Sequence, residues 1–195
     1  MLVILDNGHG IDTLGKRSPI WPDKTQLFEW EFNRDIVKRI HSKLKDLGIE
    51  SKILVPESED VSLTKRVRRV NEIYSNRKDS ILISVHANAG GGSGIECFTS
   101  VGETRSDRIA DLFYDAARET FPDVKMRCDY ADGDADKESN FTIIKNTYCP
   151  AILTENFFMD KYEDCQLLLS DNGREKIADM HVLTLKKYIN ELSKD

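Results

Sequence analysis

The chain is predicted to fold as one α/β domain, a mostly parallel twisted sheet with helices on both faces, and three observations carry that prediction. Short β-branched runs alternate with amphipathic helical patterns along the chain, an order that favours parallel strands joined by helical crossovers. The runs Met1 to Leu5 and Ser80 to Val85 are nearly apolar throughout, as strands buried on both faces are. Each leads into a histidine, His9 or His86, and ligands of open α/β sheets gather at the carboxyl ends of such strands.

Taken in order, Met1 to Leu5 is the first strand, followed by a loop rich in Gly, Pro and Asp through Trp21-Pro22-Asp23. A helical pattern runs from about Phe28 to Leu47 and stops at Gly48, a residue suited to ending a helix in left-handed backbone. Ile49 to Val55, closed by Pro56, reads as the second strand, and Ser62 as the N-cap of a helix reaching Asn76. Ser80 to Val85 is the third strand. Beyond the Gly90-Gly91-Gly92 turn, Gly94 to Thr99 reads as a fourth, antiparallel or edge, strand. Arg105 to Thr120 follows as a helix, Asn140 to Lys145 and Ala151 to Thr154 as further strands, and Asn172 to Leu192 as a long terminal helix. No internal repeat or linker interrupts this order, so residues 1–195 are expected to form one domain.

Composition excludes several function classes. The 195 residues suit one domain with a real core. A net charge of −6 argues against a nucleic-acid partner, which requires clustered Lys and Arg. The basic run Lys65-Arg66-Val67-Arg68-Arg69 lies in a helical pattern and is expected to be a solvated face. No apolar stretch approaches the ~20 residues of a membrane span, and Met1 enters the first strand without a basic n-region or cleavage site, so no secretion signal is expected. Cys97, Cys128, Cys149 and Cys165 are scattered without a metal-binding spacing and are expected to be reduced thiols in a protein made in the cytoplasm.

Two imidazoles on rigid strand ends make part of a zinc site, and a catalytic site needs a third protein ligand and an open position for water. Glu29 and Glu31 open the first helix, pointing about 200° apart around it. The apolar stripe of that helix runs through Phe32, Ile36, Val37, Ile40 and Leu44, with Glu29 and Asn33 on its edge. Glu29 therefore faces inward. Glu31 shares the solvent side with Asp35, Lys38 and Ser42. A carboxylate in a first turn also gains from the helix dipole, so Glu29 would be at home there without metal. Glu155 follows the apolar run Ala151 to Thr154, where a carboxylate is costly to bury unless it is paired or lies in a polar cleft. It is a candidate to take the proton of a metal-activated water.

These residues fall into a recognisable series. Asp6-Asn7-Gly8-His9-Gly10 after the first strand, Glu29 four residues before Asn33, Ser84-Val85-His86-Ala87-Asn88 after a central strand, and Pro150 to Phe158 together resemble the zinc-dependent N-acetylmuramoyl-L-alanine amidases of the Amidase_3 type. The Leu63, Arg66 and Asn71 pattern and Gly94-Ile95-Glu96 extend the resemblance over nearly the whole chain. It implies a phosphorylase/hydrolase-like fold, Zn2+ held by His9, Glu29 and His86, Glu155 as the catalytic glutamate, and hydrolysis of the amide between N-acetylmuramic acid and L-alanine in peptidoglycan. Asn7 stands where Pro is commoner in that family, and Asn156-Phe157-Phe158 replaces Leu-Gly-Phe or Ser-Gly-Phe. Asp6 and Asn88 are candidates to orient His9 and His86 by hydrogen bonding.

Other residues have competing readings. His41 and His181 are expected to be structural or surface. The acidic stretch Asp129, Asp132, Asp134, Asp136 and Glu138 lacks the spacing of a calcium loop and reads as a solvated loop. Trp21 is a candidate contact for sugar or peptide, or equally a packed loop anchor. A zinc peptidase would share the metal and the base, and a non-catalytic wall-binding module would need neither. The expected partner is peptidoglycan, met by a monomer after release or export from the cytoplasm, as a phage lysin or another lytic enzyme would meet it.

Overall fold

In the computed structural model, which describes residues 1–131 and 133–194, six strands form one sheet in the order β2-β1-β3-β6-β4-β5. The strands are β1 (Leu2–Asn7), β2 (Ser51–Ile53), β3 (Ser80–Asn88), β4 (Ile95–Thr99), β5 (Lys137–Glu138) and β6 (Ala151–Phe158). The helices are α1 (Glu29–Asp46), α2 (Leu63–Asn76), α3 (Arg105–Thr120), α4 (Thr142–Lys145), α5 (Tyr162–Leu169) and α6 (Asp171–Leu192). All pairings are parallel except β4 with β6, the antiparallel strand expected from the sequence.

Alternation along β1 explains why its run is apolar throughout. Val3 and Leu5 pack with Phe32, Ile36 and Ile40 of α1, Phe113 of α3 and Ile177 of α6, while Leu2 and Ile4 pack on the opposite face with Val70 of α2 and Ile143 and Ile144 of α4. Helices therefore cover both faces, and burying a large aliphatic side chain contributes about 1.5–3 kcal/mol each time. Gly48 takes a φ of 70° at the end of α1, as its helix-stopping role requires. Ser62 occupies the N-cap position of α2, although its side chain makes no capping hydrogen bond.

Several sequence expectations need correction. The central strands are longer than expected: β3 continues to Asn88 and β6 to Phe158, so His86 and Glu155 lie inside strands and not beyond their ends. The second strand shrinks to three residues. Asn140 to Lys145 is not a strand; its apolar pair Ile143-Ile144 sits in the helical turn α4 with both residues buried, and a short apolar run fits either state. The strand β5 and the helix α5 were not anticipated. The basic run is only partly solvated, because Arg66 is 2% exposed while Arg68 lies on the surface, 3.6 Å from Glu72. The acidic stretch is not wholly solvated either: Asp136 is buried and accepts the Thr99 hydroxyl at 2.6 Å, while Asp132 lies outside the described residues. The four cysteines are free, three of them buried.

Candidate metal centre and catalytic carboxylate

The site is built where β1 and β3 lie side by side, with Asp6 opposite Ser84 and Asn7 opposite Val85. Two residues past β1, His9 takes a φ of 65°, a left-handed conformation that costs a non-glycine residue roughly 1–2 kcal/mol. Its glycine neighbours are required by close approach. A Cβ on Gly8 would stand 2.0 Å from the His86 ring, and one on Gly10 would stand 2.0 Å from the backbone nitrogen of Asp60. The strained turn is held by two arginines that donate to the His9 carbonyl, Arg34 Nη1 at 2.8 Å and Arg66 Nη2 at 3.2 Å.

Glu29, the first residue of α1, is 1% exposed and faces inward as its helical phase predicts. Its Oε1 lies 3.1 Å from His86 Nδ1 and 3.3 Å from His9 Nε2. One ligand atom from each of the three residues falls within 4.8 Å of the others. Ligand atoms around a tetrahedral zinc with bonds near 2.0–2.1 Å stand about 3.3 Å apart, so the spacing fits such an ion. Glu29 Oε2 is buried without a hydrogen-bond partner, a costly state that a cation would relieve. Burial works to raise the Glu29 carboxyl, but hydrogen bonds from His86 and His9 and their charge outweigh it and hold the group below the usual carboxylate range. Burial likewise works to lower His86, and its bond to Glu29 prevails and raises it. The carboxylate is thus charged, with His86 Nδ1 and His9 Nε2 turned toward it. Glu31 points away and pairs with Arg174 at 2.8 Å.

The orientation of His86 is fixed from behind. Ser84 Oγ donates to Asp6 Oδ2 at 2.6 Å and lies 3.3 Å from His86 Nε2. With the serine proton committed to Asp6, Ser84 Oγ is free to accept from Nε2–H, the arrangement that leaves Nδ1 as the ligand atom when an ion is bound. Asn156 Nδ2 donates to the His86 carbonyl at 2.9 Å. Asp6 therefore acts on His86, through Ser84, and reaches the His9 turn only through Arg66, whose Nη1 donates to Asp6 Oδ1 at 2.6 Å. Asp6 thus stands behind His86, one of the two histidines it was expected to orient, without bonding either ring directly. Asn88 is corrected: it donates to Glu96 Oε2 at 2.5 Å and accepts from Ala89 N, and does not bond His86.

Arg66 is the residue that sequence reasoning missed. Its Nε donates to Val61 O at 2.7 Å, Nη1 to Asp6 Oδ1 and to Asn7 O at 2.8 Å, and Nη2 to His9 O and to Asp60 Oδ1 at 2.9 Å. All five of its N–H donors are engaged, so it shapes the site and has no donor left for a ligand. Its place in the Leu63, Arg66, Asn71 pattern was the available signal. Ser84 was equally legible in principle, two residues before His86 and so on the same strand face.

Glu155 stands beside the cluster on β6, in register with His86 on one side and Glu96 on the other. Its Oε2 is buried and unpartnered. Burial pushes the carboxyl up to about 7, with His86 pulling it down less strongly and Glu29 pushing it further up. A proton acceptor poised near neutrality is what general base catalysis uses. A cavity of about 170 Å³ adjoins the two histidines and is bordered as well by Asp6, Arg66, Leu63 and Ile143. Trp21 is half-buried against the core with its ring 5.2 Å from that of Tyr162. His41 contacts Ser51 Oγ at 2.8 Å, and His181 is buried on Ile177 O, its pKa lowered to about 4 by burial. Both are structural.

Known proteins resemble the chain throughout. The family profile described as Amidase_3, N-acetylmuramoyl-L-alanine amidase, matches residues 3–187. An endolysin of Bacillus phage SPP1 is 27% identical over 97% of this chain and 66% of its own length. The sporulation-specific N-acetylmuramoyl-L-alanine amidase of Bacillus subtilis strain 168 is 26% identical over 96% of this chain and 68% of its own length. The chain thus spans about two thirds of these relatives. In fold it resembles the N-acetylmuramoyl-L-alanine amidase of Clostridium difficile 630, with a TM-score of 0.83 at 24% identity, covering 97% of this chain and 96% of that one.

Proposed function

The chain belongs to the Amidase_3 family of N-acetylmuramoyl-L-alanine amidases, hydrolases of peptidoglycan, and from that premise we propose that His9, Glu29 and His86 hold its zinc and Glu155 is its general base. The bond cut is the amide between the lactyl group of N-acetylmuramic acid and the L-alanine of the stem peptide. The observation that carries this reading is the convergence of the three ligand atoms within 4.8 Å, with Glu155 on the adjoining strand in register with His86.

When bound, zinc supplies Lewis-acid polarisation of the scissile carbonyl and of a water molecule. The protein's own groups do the rest. Ser84 and Asp6 keep His86 in the tautomer that offers Nδ1, and Arg66 with Arg34 keeps the His9 turn in place. Glu155 accepts the proton of the attacking water as its oxygen bonds to the carbonyl carbon, and returns that proton to the amine nitrogen as the C–N bond breaks. Its pKa of about 7 in the metal-free protein suits both halves of that transfer.

No helix among the described residues is long and apolar enough to cross a membrane. The protein in this reading works as a monomer on the cell wall after release or export from the cytoplasm, independently of nucleic acid. Incubating it with purified muropeptides and with casein tests the substrate class. Release of L-alanine amino termini from muropeptide with casein intact is expected; casein cleavage would instead make it a general zinc peptidase, and hydrolysis of neither would point to a binding module.

A further inference from the structure

Beside the catalytic carboxylate lies a charged group that the hydrolysis mechanism does not use. Glu96 on β4 stands opposite Glu155 in the antiparallel β4–β6 pair, so the two project from the same face of the sheet. Glu96 is 4% exposed and carries two cations on one oxygen: Arg127 Nε donates to Oε1 at 2.7 Å and Lys137 Nζ at 2.8 Å. Asn88 takes its other oxygen. Two positive charges against one carboxylate leave one positive charge uncompensated. Asp136, next to Lys137, is turned to the Thr99 hydroxyl, and among the described residues it makes no ion pair with either cation.

The cations are held but not saturated. Among the described residues Arg127 uses only Nε as a donor, so both of its terminal amino groups remain free, and its guanidinium lies 5.1 Å from the centre of the Phe158 ring. Lys137 uses one of three donors. Both side chains are accessible, at 30% and 27%. Arg66 is the contrast, with every donor satisfied internally. An arginine fixed at Nε with its terminal amino groups free is a ready fork for a carboxylate.

We propose that Arg127 and Lys137, braced by Glu96 one strand beyond Glu155, form a subsite for a carboxylate on the stem peptide. This rests on the amidase reading above and assigns the specificity of the same site. Neighbouring strands stand about 4.8 Å apart, which puts the Glu96 backbone about 5 Å from that of Glu155 and about 10 Å from that of His86. Extended peptide advances about 3.3–3.6 Å per residue, so an acidic side chain or a free α-carboxylate about two residues beyond the scissile amide comes within reach of the two long cationic side chains. The expected ligand is therefore an acidic peptide, and replacing its carboxylate by an amide removes the charge that the subsite binds.

The experiment compares the zinc-loaded protein on two soluble substrates, N-acetylmuramoyl-L-alanyl-D-glutamate and its counterpart ending in D-glutamine amide, in which both carboxylates are replaced by amides. Wild type is expected to favour the acidic substrate by about tenfold or more in kcat/KM, expressed in KM, as a charge-assisted fork would give. In the Arg127→Gln, Lys137→Gln double variant the preference is expected to fall to within about twofold. The single Lys137→Gln variant, at an accessible position, gives an intermediate preference and serves if the double variant does not fold. Equal cleavage of both substrates by wild type, or a preference retained in the variants, overturns the subsite. Cleavage of neither by wild type overturns the amidase reading and the subsite with it.

Discussion

Replacing Arg66 by methionine would remove a guanidinium that ties together four segments: β1 through Asp6 and Asn7, the His9 turn, the Asp60-Val61 loop and α2 itself. Methionine fills much of the same volume, so the loss is chiefly polar. The largest part is the Asp6 carboxylate, 2% exposed, which would keep only the Ser84 hydroxyl as a partner. Breaking a buried ion pair by removing one partner costs about 3–5 kcal/mol, a large fraction of the 5–15 kcal/mol that stabilises a typical domain. Urea unfolding of the metal-free protein, followed by circular dichroism, measures it. Asp6→Asn removes the stranded charge, so the double variant should recover part of the loss, and Arg66→Lys should recover little because one ammonium cannot replace a five-donor fork. Zinc affinity should fall about 10–100-fold in Arg66→Met, since the orientation of both histidines depends on this residue. A stability loss below about 1 kcal/mol, or losses for Arg66→Met and Asp6→Asn that simply add, would refute the reasoning.

The Glu155 carboxyl is raised from 4.5 to about 7 in the metal-free protein, so its contribution to stability is complete below about 4.5 and is lost as pH rises through about 7. Glu155→Gln should therefore stabilise the metal-free protein by about 1–3 kcal/mol at pH 8 and by little at pH 4, measured by urea unfolding at both values; no difference between the two would contradict the buried, unpaired state of this group. Phe157 adopts a φ of 62°, in the region that favours glycine, and it is also buried against Phe121. Phe157→Gly should relieve about 1–2 kcal/mol of backbone strain but lose about 3–5 kcal/mol of packing, a net destabilisation that a thermal melt would register as a lower Tm. Gly8→Ala forces a methyl group to 2.0 Å from the His86 ring, so it should abolish stoichiometric zinc binding, read by titration with a chromogenic chelator, while leaving a folded protein by circular dichroism.

Much of the site was legible because its residues obey local periodicity. Helical phase alone turns Glu29 inward and Glu31 outward, and apolar strands leading into His9 and His86 place both at the carboxyl end of the sheet. What was not legible depends on partners distant in sequence. Arg66 lies in a run of four basic residues that looks like a solvated face, and only Asp6, brought to it by the packing of α2 on β1, makes burial favourable. Asn88 follows His86 closely, yet Glu96 on the far side of the Gly90-Gly91-Gly92 turn captures its amide. The strand ends were misplaced because His86 and Glu155 hydrogen-bond in register although both are polar, and the Ile143-Ile144 pair satisfies a helix and a strand equally until α2 and β6 pack against it.

The most direct test measures zinc content and muropeptide hydrolysis for wild type and Glu155→Ala side by side. The account predicts one zinc per chain in both proteins, with release of L-alanine amino termini by wild type and its loss by about 10²–10⁴-fold in the variant. Absence of zinc from wild type, or equal hydrolysis by Glu155→Ala, would contradict it.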